Sequence, residues 1–323
     1  MLDLVIVGAG PAGLSCAIAA HRKNLSYIML DKGNIADAII NFPVNMVFFS
    51  TADQLELAGI PFTSAGFRPT RQEVIRYYHN ISAHFGIKVR PNTHVSGVGK
   101  NDRFFEVSVV SGGSPEIIEA RNVVLATGFF DHPARLNVPG EDLPHVSHVY
   151  HEAFKYYGQN VVIVGGKNSA VETALELYRS GARVTLVHRR SEIRESVKYW
   201  ILPDIINRIN ENSIRAYLNS TVKQITGEYV EIEQAGEGHK IPADAVFLMT
   251  GYRPDTELFD SAGVEYDPET FEPRINAQSH ESNIPGLYIA GSMIAGKNHN
   301  RVFIENSRQH GDLIIADIAE KHK

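Results

Sequence analysis

The sequence predicts an α/β protein made of two doubly wound, three-layer units, one inserted into the other. Two observations predict it. An apolar run, a glycine-rich turn and an apolar helical stretch follow one another at the start of the chain and again at its middle, and further apolar runs end in Thr-Gly or Ala-Gly. Such continuous runs read as parallel strands buried on both faces. The length of 323 residues suits about two domains.

The first run is Leu4 to Val7, followed by Gly8-Ala9-Gly10-Pro11-Ala12-Gly13 and the helical stretch Leu14 to Ala20. In a GxGxxG turn Gly8 makes the turn, Gly10 lets the backbone approach a pyrophosphate, and Gly13 lets helix and strand pack closely. The helix N-terminus then offers free N–H groups and a positive dipole end to phosphate. A second strand, Ser26 to Leu30, leads into Asp31, where an acid accepts hydrogen bonds from a ribose diol. GxGxxG alone is a weak signal. With strand, helix and acid in register it reads as a Rossmann-like dinucleotide site. In the same unit, Ser111-Gly112-Gly113-Ser114-Pro115 reads as a hairpin turn, and Val123 to Gly128 as a strand ending in a small-residue turn.

The pattern returns at Asn160 to Val164, followed by Gly165-Gly166-Lys167-Asn168-Ser169-Ala170, a helix over Val171 to Arg179, a stop at Gly181 and a strand over Arg183 to Val187. Lys167 stands where a glycine usually lets the phosphate come close, which demands a rearranged turn or a lysine swung toward the anion. After the second strand comes His188-Arg189-Arg190, with Arg194 four residues on, in place of an acid. That cluster suits the 2′-phosphate of NADPH, which arginine can hold bidentately; a solvated basic edge is the other reading.

Two nucleotide sites imply two cofactors, and the economical pairing is FAD in the first and NADPH in the second, with hydride passing between them. Val246 to Gly251 and Leu287 to Gly291 are two further strands with small-residue turns, and an apolar helix is expected from about Val302 to Ile318. With its N-terminus near Phe303 aimed at the flavin, that helix would stabilise negative charge on reduced FAD. The expected domains are nested: 1–130 and 250–323 for FAD, 131–249 for NADPH, with crossing segments near Phe130 and Met249 as the hinge.

Composition narrows the classes. Hydrophobic residues make up 43% and charged residues 21%, an ordinary globular mixture, and the net charge of -6 argues against a dedicated nucleic-acid binder. No run approaches the roughly 18 apolar residues of a membrane span, and Met1-Leu2-Asp3 lacks the basic start of a signal peptide. The lone Cys16 excludes an intramolecular disulfide, a CxxC pair and a zinc ribbon, and it suits a reducing cytosol.

These motifs, together with Ala126-Thr127-Gly128 and Thr250-Gly251, resemble the thioredoxin reductase-like flavoproteins across the whole chain. The CxxC of thioredoxin reductase would fall on His148 and His151, so thioredoxin reduction is excluded. A closer resemblance is to the YpdA-type bacillithiol disulfide reductases, which lack CxxC. It is carried by Asn41-Phe42-Pro43, Phe48-Phe49-Ser50, Thr127-Gly128-Phe129-Phe130-Asp131-His132-Pro133, Val138-Pro139-Gly140-Glu141-Asp142-Leu143-Pro144, Gly165-Gly166-Lys167-Asn168-Ser169, Trp200-Ile201-Leu202-Pro203 and Phe303-Ile304-Glu305-Asn306. Lys167 is normal in that branch, as is Ser292 in place of an aspartate. The resemblance implies an FAD site that includes Lys32, Asn41, Val95, Thr127, Gly128, Gly291, Ser292, Phe303 and Ile304 beside the first turn and Asp31. It implies an NADPH site of Gly165 to Ala170, His188, Arg189, Arg190, Arg194 and Gly251, and a homodimer.

Catalytic residues are the least legible. Members of the branch that work through a thiol carry it just before the last glycine of the first motif, where this chain has Ala12. Cys16 lies one helical turn further on. It reads as a small buried hydrophobe, or else as a nucleophile aided by the helix N-terminus. His148 and His151 could be proton donors or ordinary hinge histidines; nothing nearby completes a metal site. His299 belongs to a polar loop that could line the flavin pocket. Function then divides four ways: an NADPH- and FAD-dependent reductase of a small disulfide such as oxidised bacillithiol, a ferredoxin or flavodoxin reductase, a flavin monooxygenase, or a flavin-bound redox sensor.

Overall fold

The structure is a computed structural model that describes residues 1–193, 197–298 and 301–321. Its contacts divide the chain into two compact units. The first comprises Met1–Asn41, Asn45–His132 and Tyr252–Lys323, the second Phe42–Val44 and Pro133–Gly251. The short segment 42–44 groups with the second unit, where the Val44 N–H donates to the His151 carbonyl.

The first unit opens with β1 (Leu2–Val7), α1 (Pro11–Arg22), β2 (Tyr27–Leu30), α2 (Asp37–Ile40), α3 (Arg71–His84), β3 (Val89–Arg90), β4 (Thr93–Lys100), β5 (Phe105–Ser111) and β6 (Ser114–Leu125). Leu4, Val5 and Ile6 are fully buried, as a strand covered on both faces requires. Strands β3-β2-β1-β6 pair in that order and in parallel, with Val5 opposite Ile28 and Val123. The first half of β6 instead pairs antiparallel with β5, across the turn at Gly112 and Gly113. Both glycines have positive φ, 57° and 82°, as a two-residue hairpin turn demands. Helix α3 is started by a capping box between Thr70 and Glu73.

The second unit contains β7 (Val146–Ser147), β8 (Asn160–Val164), α4 (Asn168–Arg179), β9 (Arg183–Val187), α5 (Leu202–Asn210), β10 (Arg215–Tyr217), β11 (Ser220–Ile225), β12 (Tyr229–Gln234), β13 (Glu237–Pro242) and β14 (Ala245–Leu248). Its parallel sheet runs β10-β9-β8-β14-β7. Strand β8 feeds two cores at once. Val161 and Ile163 pack with α4 and α5, while Val162 and Val164 pack against the antiparallel β11-β12-β13 sheet through Val222, Val230 and Ile232. One covering layer is therefore a three-stranded antiparallel sheet.

The chain then returns to the first unit through α6 (Thr256–Ala262), β15 (Leu287–Ile289), α7 (Ile304–Ser307) and α8 (His310–Lys321). β15 pairs in parallel with the end of β6, Leu287 opposite Val123. The single helix expected over Val302 to Ile318 is in fact two, a correction with a clear cause. Ser15 of α1 occupies the break: its hydroxyl donates to the Arg308 carbonyl and accepts from the Gly311 N–H. Gly311 packs so closely on α1 that a Cβ there would lie 2.3 Å from the Ser15 carbonyl carbon. With only four residues, α7 has little dipole to offer near Phe303.

Candidate cofactor sites

The first turn lies at the C-terminal end of β1. Gly8 has a φ of +106°, and a Cβ there would stand 2.4 Å from the Ala126 carbonyl oxygen; one on Gly13 would stand 1.9 Å from that of Gly8. Gly10 is different: nothing lies within 4 Å of where its Cβ would be. Two glycines are thus required by the protein's own backbone, and the third leaves an open cradle. The shape fits a pyrophosphate approaching the backbone. α1 starts with Pro11 after Gly10, with no side-chain cap and no acid in its first turn, so its N-terminal N–H groups remain available to an anion.

Asp31 follows β2, as the sequence predicts, but its carboxylate braces the turn. One oxygen accepts from the Ala9 N–H at 2.7 Å and the other from the Gly33 N–H at 2.8 Å. Burial raises its pKa, and the two backbone bonds oppose that rise. Each oxygen keeps a lone pair for a ribose hydroxyl. Thr127 and Gly128 follow β6, which pairs in parallel with β1, and Gly291 and Ser292 follow β15, which pairs in parallel with β6. A Cβ on Gly291 would lie 2.9 Å from Cβ of Ala12, and one on Gly128 would lie 3.7 Å from Ser292 Oγ. Lys32 pairs with Asp131 at 3.0 Å, and Asn41 Nδ2 donates to the Asp37 carbonyl at 3.0 Å. Val95 is a core residue packed in the β4–β5 layer. Phe303, 51% exposed, precedes Ile304 at the start of α7.

A residue absent from the sequence reading supports this end of the sheet. His310 Nδ1 accepts from the Gly291 N–H at 3.1 Å, and its ring stands edge to face with His280, centroids 4.3 Å apart. Burial, reinforced by His280, lowers the pKa of His310 to about 4, so the ring is neutral and Nδ1 is a standing acceptor. A single histidine nineteen residues beyond Gly291 carries no sequence signal.

The second turn repeats the geometry with other chemistry. A Cβ on Gly165 would lie 2.6 Å from the Met249 carbonyl oxygen, and one on Gly166 would lie 2.3 Å from the His188 ring. Lys167, exposed, precedes α4, which again lacks a side-chain cap and a first-turn acid. Asn168 accepts the Lys198 N–H at 2.8 Å through Oδ1, Ser169 is exposed and Ala170 is buried. The His188 ring is held neutral by burial first and by Arg190 and Arg189 next. Arg189 and Arg190 are exposed beyond β9, and nothing crowds Gly251 within 4 Å of a Cβ position. Arg194 and His299 lie outside the described residues.

Among the catalytic candidates, Cys16 is fully buried in α1, and its thiol is pushed up to about 12 by burial, with the Asp312 charge adding to it. Both effects disfavour the thiolate, as suits a small buried hydrophobe. His148 Nε2 lies 3.3 Å from the buried Glu141 carboxylate, and burial nevertheless lowers its pKa. Glu141 also accepts the Leu136 and Asn137 N–H groups, so it braces its own loop. His151 is exposed. Among the described residues no group of three or more His, Cys, Asp or Glu could hold a metal, and no helix is long and apolar enough to cross a membrane.

Two glycine-turn cradles, each at the C-terminal end of parallel strands, have the form of a dinucleotide-binding protein. Residues 5–291 match the pyridine nucleotide-disulphide oxidoreductase family, and the chain belongs to it. It is a flavoprotein oxidoreductase with FAD and NAD(P)H as cofactors. More particularly, it is 39% identical over 321 residues to the bacilliredoxin reductase Bdr of Bacillus subtilis (strain 168), covering 98% of this chain and 97% of that one. The solved bacillithiol disulfide reductase Bdr (YpdA) from Bacillus cereus superimposes with a TM-score of 0.96 at 38% identity, over 99% of each chain. A thioredoxin reductase from T. acidophilum, 22% identical over 99% and 98% of the two chains, shares the fold with a TM-score of 0.75.

Proposed function

We propose that this chain is an NADPH-dependent, FAD-containing reductase of bacillithiol-type disulfides, the class for which its Bacillus relatives are named. One observation carries the reading of its sites. α3 and α6 are capped by their own Thr70–Glu73 box and Asp255, whereas α1 and α4, the two helices after glycine turns, are left uncapped and without first-turn acids. Those N-termini are the natural seats of two pyrophosphates. The unit with Asp31 takes FAD. The unit with Arg189 and Arg190 takes NADPH, because a guanidinium pair holds a 2′-phosphate and an acid repels it.

FAD supplies the group that accepts a hydride and returns two electrons. Over a turnover NADPH, one proton and one disulfide become NADP⁺ and two thiols. The chain's own residues bind, orient and neutralise: Asp31 fixes the first turn, His310 fixes Gly291, and Lys167 adds charge beside the second turn. With Cys16 inert, the acceptor disulfide is reduced without a protein thiol relay.

The test is NADPH oxidation by the FAD-loaded protein with bacillithiol disulfide added, and separately with a bacilliredoxin carrying the mixed disulfide. A saturable increase is expected, and Cys16→Ala should retain it within about twofold, since a buried high-pKa thiol is not a nucleophile. Loss of the increase in Cys16→Ala with FAD still bound would restore the thiol route. No increase with either disulfide, but rapid reduction of ferredoxin or flavodoxin, would overturn the disulfide reading.

A further inference from the structure

The connection between β9 and α5 carries Arg189 and Arg190 near its start and the only tryptophan of the chain near its end. Ile193 and Ile201 anchor it in the core of the second unit. The glycine turn adds a further anchor. The Lys198 N–H donates to Asn168 Oδ1 at 2.8 Å, and Lys198 Nζ meets Glu172 Oε1 at 2.7 Å, one turn further along α4. Asn168, expected from sequence to touch the nucleotide, is also the post to which the connection is tied.

What the tie holds is an aromatic pair. Tyr199 and Trp200 meet edge to face with centroids 4.9 Å apart, and Lys198 Nζ stands 5.7 Å from the Trp200 centroid. They are 82% and 41% exposed. Two large rings are therefore fixed in position without being buried, beside the start of α4.

We propose that the Tyr199–Trp200 pair is the surface on which the adenine of the nicotinamide dinucleotide stacks. The proposal rests on the reading of the second turn as the NADPH site. A pyrophosphate at the start of α4 and a 2′-phosphate at Arg189 and Arg190 leave the adenosine half on the β9 side of the turn. The connection that leaves β9 through Arg189 and Arg190 is the one tied at Lys198 to Asn168, the first residue of α4. Adenine presents a π-face to any aromatic ring, and tryptophan offers the largest one. A role in docking a protein acceptor would need the exposed rings but not the tie to α4.

Because Trp200 is the only tryptophan, its emission reports on this spot alone. The FAD-loaded protein is titrated with adenosine 2′,5′-bisphosphate, which has the adenine and the 2′-phosphate but no nicotinamide, and binding is followed in parallel by calorimetry. Saturable quenching at the calorimetric Kd is expected. Trp200→Ala should weaken binding about tenfold, and Trp200→Phe should restore most of it, with FAD content unchanged in both. Calorimetric binding with steady emission and equal affinity in Trp200→Ala overturns the stacking surface and leaves the NADPH site standing. Absence of binding by the unaltered protein overturns the site itself, and the stacking surface with it. Unchanged affinity in Trp200→Ala together with lost turnover on a protein disulfide alone would make the pair a docking surface instead.

Discussion

The two glycine turns are built alike and equipped differently. In each, a first glycine is crowded by the carbonyl of a neighbouring strand end, Ala126 for Gly8 and Met249 for Gly165. Each is also backed by a histidine that burial keeps neutral: His310 through the Gly291 N–H, and His188 directly under Gly166. They part at the third position, open Gly10 against exposed Lys167, and after the second strand, Asp31 against Arg189-Arg190. The fold dictates the crowded positions. The open ones are where the two turns differ in charge.

The largest break of this parallel is Gly13→Ala. The second turn has Ala170 at that place, but in the first a Cβ would meet the Gly8 carbonyl oxygen at 1.9 Å. Backbone must shift to make room, and FAD retention is expected to fall at least about tenfold, read as flavin absorbance per purified chain. An FAD content equal to that of the unaltered protein would mean that the two turns are interchangeable.

Acid should separate the two backing histidines. His310 titrates near 4 when folded and near 6.5 when unfolded, so the unfolded chain binds its proton more readily. Its contribution to stability is whole above the unfolded value and is lost as pH falls through that window, on the order of 3 kcal/mol at most. Urea midpoints at pH 7 and pH 4.5 should converge by that amount in His310→Asn, which accepts the Gly291 N–H without titrating. An unchanged pH dependence in this variant would remove His310 from the account.

The smallest effect concerns the arginines. Arg189→Ala should lower kcat/KM for NADPH about tenfold while leaving that for NADH nearly unchanged, because a charge-assisted hydrogen bond to the 2′-phosphate is lost. Equal losses with both coenzymes would assign Arg189 to the pyrophosphate instead.

Much of this was legible in the sequence, for physical reasons. Strand β8 over Asn160–Val164 and β9 over Arg183–Val187 were readable to the residue, since continuous apolar runs closed by glycine leave few alternatives. The hairpin at Gly112-Gly113 was readable from its turn chemistry. The β11-β12-β13 layer was not, because its strands are only six residues long and the one clear alternation, Val230 and Ile232 in β12, lies between strands with few apolar residues. The break between α7 and α8 was hidden because its cause, Ser15, is nearly 300 residues away. In the sites, glycines and charges announced themselves. His310 and the tie from Asn168 to Lys198 did not, since each depends on a partner that only the fold brings near.

The Ser15 hydroxyl also ties the order of synthesis to the order of assembly. It binds Arg308 and Gly311, and β6 waits for β15, so α1 closes only after a segment made nearly 300 residues later. Apart from residues 42–44, the second unit is made of the continuous stretch 133–251 and needs no such delay. On the ribosome, the inserted unit can be complete while the discontinuous unit is still open, its apolar sheet edge at β6 exposed to whatever chaperone or neighbour is at hand.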